Sequence, residues 1–273
     1  MDLDLIKRWF RKQPSEQQST SNSANNQQWR FWTTWPGLSV TYPIIPTDQI
    51  PVPWLGSSRQ YLQSLNQKLN HPTTNAAHLC SGITASLTQG WTVTSWCDFI
   101  ITTNGDSTSF EWRLPQRIGS KYPSPIIEHF DSQLWGDHAN LPPNTLKTLI
   151  KYNTPWCFWA PPGWGLLVAP LQYHNESRFT NALGIIDPAR GNQLNALLLW
   201  HEPNKQTLVR AGTPLFQMYP VPLARPQAQI QEANSNEMDF HITRDFLFSN
   251  TFASNRDQAQ KLYEYYRSKS QEN

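Results

Sequence analysis

The stretch that decides the fold runs from residue 156 to residue 222 and holds three blocks marked by turns. They read WCFWAPPGWGLLVAP (residues 156–170), GIIDPARG (184–191) and RAGTPLFQMYPVP (210–222). Pro-Pro-Gly, Asp-Pro and Ala-Gly-Thr-Pro favour turns, because proline fixes φ and glycine accepts a positive φ. Apolar runs of strand length lie between these turns. This order predicts short antiparallel strands joined by tight turns.

The composition of the whole chain also favours many short strands. The 273 residues include 22 Pro and 13 Trp. Only 15% of the residues are charged, against about 25% in an average protein. Such a chain does not suit long helices or coiled coils, and its indoles are expected to fill a core or to line a groove. The net charge of +2 gives no clear signal for nucleic acid.

The cysteines and the hydropathy pattern limit the possible cell compartments. Cys80, Cys97 and Cys157 form neither a disulfide framework nor a paired zinc motif. Cys80 and Cys97 could pair, but free thiols in a reducing compartment are favoured. No apolar run reaches the about 18–20 residues that span a bilayer, and no signal peptide is recognisable. We therefore expect no membrane span, and a protein made in the cytoplasm of the producing cell.

The first 28 residues are expected to form an arm outside the domain. Residues 1–12 are amphipathic, and residues 13–28 are rich in Ser, Gln and Asn and are predicted to be disordered. In the amphipathic segment one helical face collects the apolar side chains Leu3, Leu5, Ile6, Trp9 and Phe10. The segment is interpreted as a docking peptide for a protein partner, another copy or a membrane surface. Loose packing on its own domain is the alternative.

A β-rich domain is predicted over residues 29–222, with its core at about 147–222. The aromatic residues at 29–35 predict an edge strand packed on the domain, with an exposed stacking surface as the alternative. A helix is predicted over 57–70, capped by Ser57 or Ser58. Strands are predicted over 77–118, and the clearest hairpin joins 96–103 to 108–114 around an Asn-Gly turn.

Two further regions carry weaker signals. Residues 119–147 are predicted to be loop-rich, with a short helix near Pro125–Phe130. They hold His129, Asp131, Asp137 and His138, which match no strong metal template, so a solvated loop is favoured and no metal site is predicted. Residues 223–273 are interpreted as an irregular tail that ends in a helix over 254–268.

The order of the three blocks resembles the core of the dUTP pyrophosphatases (dUTPases) and their β-clip relatives. The resemblance implies an antiparallel β-clip domain. It places Asp187 where that family keeps the aspartate that orients and deprotonates the attacking water. Arg190 and Gly191 match the pair that follows, and Gln217 matches a glutamine on the strand that supports the nucleotide pocket.

The chain also departs from the dUTPase pattern. The strand that ends at Ala169 leads into PLQYHN (residues 170–175), which lacks the arginine-serine pair of the family's phosphate loop. Ala189 replaces the tyrosine that packs on the deoxyribose, and no glycine-rich arm follows Pro222. Under the enzyme interpretation Asp187 is the catalytic residue, Arg190, Gln217 and Asn175 bind the ligand, and magnesium is the cofactor; otherwise no cofactor is expected. Turn formation by the Asp-Pro pair is the alternative role of Asp187.

A second resemblance covers residues 40–222. The chain is similar to a family of uncharacterised proteins common in tailed-phage genomes. The residues that carry this resemblance are Cys80, Phe110, Trp112, Pro155-Trp156, Pro162-Gly163-Trp164, Gly184–Asp187 and Gly212–Pro220. It implies a viral or prophage origin and brings no known activity.

Two functions therefore remain open. The preferred one is a non-catalytic binding or structural protein of phage origin, a virion or assembly component that docks or self-associates through its terminal arms. The alternative is a nucleotide-binding or nucleotide-hydrolysing enzyme of dUTPase type that uses Asp187.

Overall fold

The computed structural model describes residues 28–68, 76–115, 125–228 and 230. Within these residues the chain is mainly antiparallel β, with thirteen strands in three sheets and three α-helices. The predicted mainly β class is confirmed. The predicted N-terminal docking segment and the predicted helix over 254–268 lie outside the described residues.

The elements follow one another with short connections. The helices are α1 Leu38–Thr41, α2 Pro53–Lys68 and α3 Ser81–Thr88. The strands are β1 Arg30–Thr33, β2 Ile45–Pro46, β3 Trp91–Thr94, β4 Phe99–Thr103, β5 Phe110–Arg113, β6 Ile127–Phe130, β7 Leu149–Trp159, β8 Trp164–Ala169, β9 Phe179–Asn181, β10 Gly184–Ile186, β11 Gln193–Trp200, β12 Gln206–Val209 and β13 Pro214–Pro222. No helix in the described ranges has both the length and the apolar character needed to cross a membrane.

The first sheet is organised around the long strand β7. Strand β11 pairs with one side of β7, and β9 pairs with the far side of β11. The other side of β7 is shared, because β6 pairs with its first half and β1 pairs with its second half. All these pairs are antiparallel, so β7 holds together segments that are distant in the sequence.

The second sheet brings the three turn-marked blocks together. Its strand order is β10-β8-β13-β3-β2, so the blocks contribute three adjacent strands. Gly163 and Gly212 adopt φ values of +79° and +84°, which non-glycine residues resist. The third sheet, β12-β4-β5, contains the hairpin predicted over 96–103 and 108–114, and that prediction is confirmed.

One cluster of buried side chains joins the three sheets. Phe31 of the first sheet meets Trp91 of the second edge to face, with ring centroids 5.1 Å apart. Tyr152 of the first sheet meets Phe99 of the third with ring centroids 4.9 Å apart. Strand β11 shows the underlying pattern, because every second residue from Leu194 to Trp200 is fully buried. Each large apolar side chain that is fully buried contributes about 1.5–3 kcal/mol.

The prediction of strands from residue 77 is wrong for its first part, which forms a 3-10 turn and then α3. The cause is a contact distant in the sequence. Gln217 Nε2 on β13 donates to the carbonyl oxygens of Ser86 (2.8 Å) and Gln89 (2.7 Å), and Tyr219 donates its hydroxyl to Ser86 (2.7 Å). The last carbonyls of a helix lack partners within the helix, so these donors stabilise its C-terminal end against the sheet.

The short helix predicted near Pro125–Phe130 is also wrong, because Ile127–Phe130 forms strand β6. An edge position on β7 decides the matter. Glu128 Oε2 accepts from Lys151 Nζ (2.7 Å) and Asn153 Nδ2 (2.8 Å) on that strand. The bond from Asn153 and the neighbouring Lys151 lower the pKa of Glu128 from its ordinary value.

The helix predicted over 57–70 exists, but it begins earlier, at Pro53, and its described part ends at Lys68. Proline suits the first turn of a helix, where its missing N–H has no partner to lose. The predicted caps are therefore wrong. Ser57 lies one turn inside the helix with its hydroxyl on the carbonyl of Pro53 (3.5 Å), and Ser58 bonds to Nδ1 of His78 (2.8 Å).

Candidate functional site

Asp187 lies in a tight turn that follows β10. Its Oδ1 accepts a hydrogen bond from the backbone N–H of Ala189 (2.9 Å). Its carbonyl oxygen accepts from the N–H groups of Arg190 (3.0 Å) and Gly191 (3.1 Å). An aspartate that bonds the backbone two residues ahead stabilises a turn by itself. One side-chain oxygen of Asp187 is therefore occupied by local structure.

Arg190 is placed beside Asp187 but is held weakly. Its Nε lies 3.8 Å from Asp187 Oδ2, and its side chain is 90% exposed. An ion pair of this length at the surface contributes little to stability, because water and salt screen it. The two residues could jointly meet an anion or a cation from solvent, but no second element of the described structure fixes their geometry.

Gln217 is buried and serves the fold. Both N–H donors of its amide are directed at backbone carbonyls of α3 and of the residue that follows it. A buried amide must satisfy its donors within the protein, since leaving one unpaired costs about 1–3 kcal/mol. Gln217 could bind a ligand with this group only by releasing the end of α3. Asn175 is exposed in the loop between β8 and β9.

The structure does not bring the four predicted residues together. Ile186, which precedes Asp187, pairs with Leu166 on one side of β8. Gln217 pairs with Ala169 on the other side of β8. Three residues of strand separate these positions, which is about 10 Å along the sheet, and β8 lies between them. Asp187 and Arg190 are thus neighbours, and Gln217 lies apart from them.

The histidines and aspartates of residues 129–138 form separate pairs. His129 Nε2 lies 3.1 Å from Asp131 Oδ1, and Lys147 Nζ lies 2.9 Å from Asp137 Oδ1. His138 Nε2 is 3.0 Å from the carbonyl oxygen of Gln133. Across the ranges that the structure describes, no three His, Cys, Asp or Glu residues are grouped so that they could hold a metal ion.

The cysteines are free, and one belongs to a buried polar network. Cys97 Sγ lies 3.3 Å from the hydroxyl of Tyr152, which also bonds to Ser95 Oγ (3.0 Å) and accepts from the N–H of Trp96 (3.3 Å). Burial raises the pKa of the Cys97 thiol to about 11. The thiolate, which is the reactive form, is therefore suppressed at neutral pH. This cysteine contributes to packing.

Sequence reasoning missed an aromatic surface on the outside of the first sheet. Trp32 lies opposite Cys157, and Arg30 lies opposite Trp159, where β1 meets β7. Directly opposed residues share one face of a sheet, so these four form one patch, called here the β1–β7 surface. Trp32 is 41% exposed and Trp159 is 46% exposed. The alternation along β7 was the available signal, because Trp159 follows the fully buried Phe158.

The aromatic segment at 29–35 therefore has two faces. Trp29, Phe31 and Trp35 pack against the core, as the edge-strand interpretation expects. Trp32 points away from the core and leaves part of its indole in solvent. The alternative interpretation, an exposed aromatic surface, thus holds for one residue of the segment together with Trp159 of β7.

We expect the protein to lose stability between pH 7.5 and pH 5.5. Burial lowers the pKa of His201 and of His174 from their ordinary value near 6.5. The unfolded chain then binds more protons than the folded chain as pH falls through 6.5. The contribution of these two histidines is fully present above the unfolded pKa and is lost as pH falls toward the folded pKa.

Urea unfolding at the two pH values measures this loss. His201 lies between two hydroxyls, with Thr145 Oγ1 3.0 Å from Nδ1 and Thr180 Oγ1 2.9 Å from Nε2. His201→Gln keeps a donor and an acceptor but does not titrate, so its loss between pH 7.5 and 5.5 should be smaller. The exposed His138 supplies the matched control, His138→Gln. An equal loss in His201→Gln and the unaltered chain would remove His201 as a cause.

The arrangement around Asp187 is a turn with one exposed arginine, and the β1–β7 surface is the larger unexplained feature. No family model matches this chain, and no curated protein matches its sequence. Functional inference therefore starts from these two places in the fold.

Proposed function

We propose that this chain is a non-catalytic binding or structural protein of phage origin, a virion or assembly component that holds a protein partner through its terminal segments. One observation carries the proposal. The polar groups that a dUTPase-type reaction would use are employed by the fold, because Gln217 secures α3 and Asp187 stabilises its own turn. A catalytic aspartate needs a water and a substrate held against it, and Gln217 lies too far away to contribute.

The proposed domain is of β-clip type. In support, the three turn-marked blocks form adjacent strands of one sheet, and the glycines of two of their turns adopt positive φ. The resemblance to a family from tailed phages supports the viral origin. A protein of this kind would be made in the cytoplasm of the host cell, and as a virion component it would then be incorporated into the particle.

A nucleotide-binding or nucleotide-hydrolysing enzyme is the second candidate. The observation in its favour is that the Asp187 side chain is 33% exposed and that Oδ2 faces the solvent-exposed Arg190. A carboxylate and a guanidinium at one surface could meet a magnesium-bound triphosphate. Magnesium would be the cofactor in that case, and Asp187 would activate the water.

Pyrophosphate release separates the two candidates. With dUTP or dCTP and magnesium we expect no turnover, and we expect no shift of the melting temperature across a panel of nucleotides. A ligand at about one hundred times its dissociation constant would stabilise the fold by about 2.7 kcal/mol, which is easily detected. Turnover that Asp187→Asn abolishes and the exposed control Asp131→Asn retains would overturn the preferred function.

A further inference from the structure

The β1–β7 surface leaves apolar area in water at an edge of the sheet. Two indoles, Trp32 and Trp159, lie on one face within two residues of register. Strand β1 is terminal in the pairing order of the described strands, so its outer edge offers backbone groups as well. Tryptophans that are half exposed side by side are typical of surfaces that bind another chain, since each can bury a large area with few rotatable bonds.

The chain that precedes this surface carries a matching occupant. Twenty-seven residues come before Gln28, the first described residue, and Gln28 is only four positions from Trp32. Their apolar side chains are concentrated at 3–10, with Leu3, Leu5, Ile6, Trp9 and Phe10. The seventeen residues between Phe10 and Gln28 would span about 20–25 Å as a flexible coil. Trp32 lies within about 13 Å of Gln28, so this span is sufficient.

We propose that residues 3–10 of the chain dock on the β1–β7 surface of the same copy. The inference rests on the proposed function, because it concerns the arm that would hold the partner. A linker of this length gives an effective concentration in the millimolar range, which favours the same copy over a neighbour in dilute solution. In an assembly, neighbouring copies or another protein reach similar local concentrations and can displace the segment. The domain would thus store its docking arm on its own aromatic surface.

Cys157 provides the readout, because it lies on this face opposite Trp32. In the full chain its thiol would be covered by the arm, whereas Cys80 is exposed on another element. The experiment measures the rate of alkylation of each cysteine by peptide mass mapping. It compares the unaltered chain with the double variant Trp9→Asp, Phe10→Asp. Both substitutions lie outside the β-rich domain and replace apolar groups by charges.

We expect Cys157 to react about sixfold faster in the double variant, if the segment binds with a dissociation constant of about 0.2 mM against an effective concentration of about 1 mM. The rate at Cys80 should not change. Ile185→Ser, which alters an exposed apolar residue of β10 in a different sheet, is the matched control and should leave the Cys157 rate unchanged. Equal Cys157 rates in the double variant and the unaltered chain would overturn the proposal.

A reciprocal measurement keeps the test independent of cysteine reactivity. Trp159→Ser should release the arm and speed tryptic cleavage after Lys7, Arg8 and Arg11, whereas Ile185→Ser should not. Unchanged cleavage in Trp159→Ser would also contradict docking. Cys157 protection that disappears on hundredfold dilution would reject the same-copy assignment in favour of a neighbour's segment. None of these results depends on nucleotide turnover, so they separate this inference from the proposed function.

Discussion

Replacing Gly90 by alanine is expected to cost more than about 4 kcal/mol of the free energy of unfolding, an effect in the exceptional class for single substitutions. Gly90 adopts a φ of +77°, and an added Cβ would lie 1.9 Å from the carbonyl oxygen of Met218. That carbonyl belongs to β13, where Met218 pairs with Trp91. The obstacle is backbone within a sheet, so the clash can be relieved only by breaking the register of β3 and β13.

Gly163→Ala is the matched control, because Gly163 has nearly the same φ, +79°, with no atom within 4 Å of its added Cβ. The left-handed conformation alone costs a non-glycine residue about 1–2 kcal/mol. Urea unfolding of both variants therefore separates backbone strain from steric exclusion. Equal losses in the two variants would show that the close approach of Gly90 to β13 is unimportant.

Trp200→Ala is expected to destabilise the fold by about 3–5 kcal/mol, the range for removal of a fully buried tryptophan. Trp200 at the end of β11 has no exposed surface and stacks on Phe179 with ring centroids 6.0 Å apart. Its Nε1 donates to the carbonyl oxygen of Glu202 (3.2 Å). The variant therefore loses apolar burial, a ring contact and a hydrogen bond, and it leaves a cavity where the first sheet meets the core.

Trp159→Ala provides the comparison in the same sheet. This residue ends β7 with 46% of its surface exposed, so its removal leaves no enclosed cavity. Its loss of stability should stay within about 1 kcal/mol, as for surface substitutions away from caps and buried networks. Chemical unfolding of the two variants under identical conditions tests the difference. A Trp159 variant as unstable as the Trp200 variant would mean that the β1–β7 surface is part of the core.

Local sequence was sufficient where a local interaction decides the structure. The hairpin of β4 and β5 was predictable because an Asn-Gly turn separates two runs of strand-forming residues. The glycine turns before β8 and β13 were predictable for the same reason. Residues 81–88 were not, because small and β-branched residues alternate there as they would in a strand. Their helix depends on donors from β13, more than a hundred residues later.

The candidate site shows a related limit. The sequence could indicate Asp187 and Gln217, because both lie in recognisable blocks. It could not indicate that the strand register keeps them apart, since a register is set by pairing along the whole sheet. Trp159 was missed for the opposite reason. Its block was read for the turn that follows, and the alternation that directs its side chain outward was not used.

The shared side of β7 has a consequence for the order in which the chain folds. Strand β6 reaches β7 from about 20 positions away, whereas β1 reaches the same strand from about 120 positions away. Closing the longer loop costs about 1.7 kcal/mol more in chain entropy, on the logarithmic dependence on loop length. The half of β7 beside β6 is therefore expected to form early, and β1 to join last. By the same reasoning, β1 is the strand whose amide protons should exchange first when the native protein opens locally.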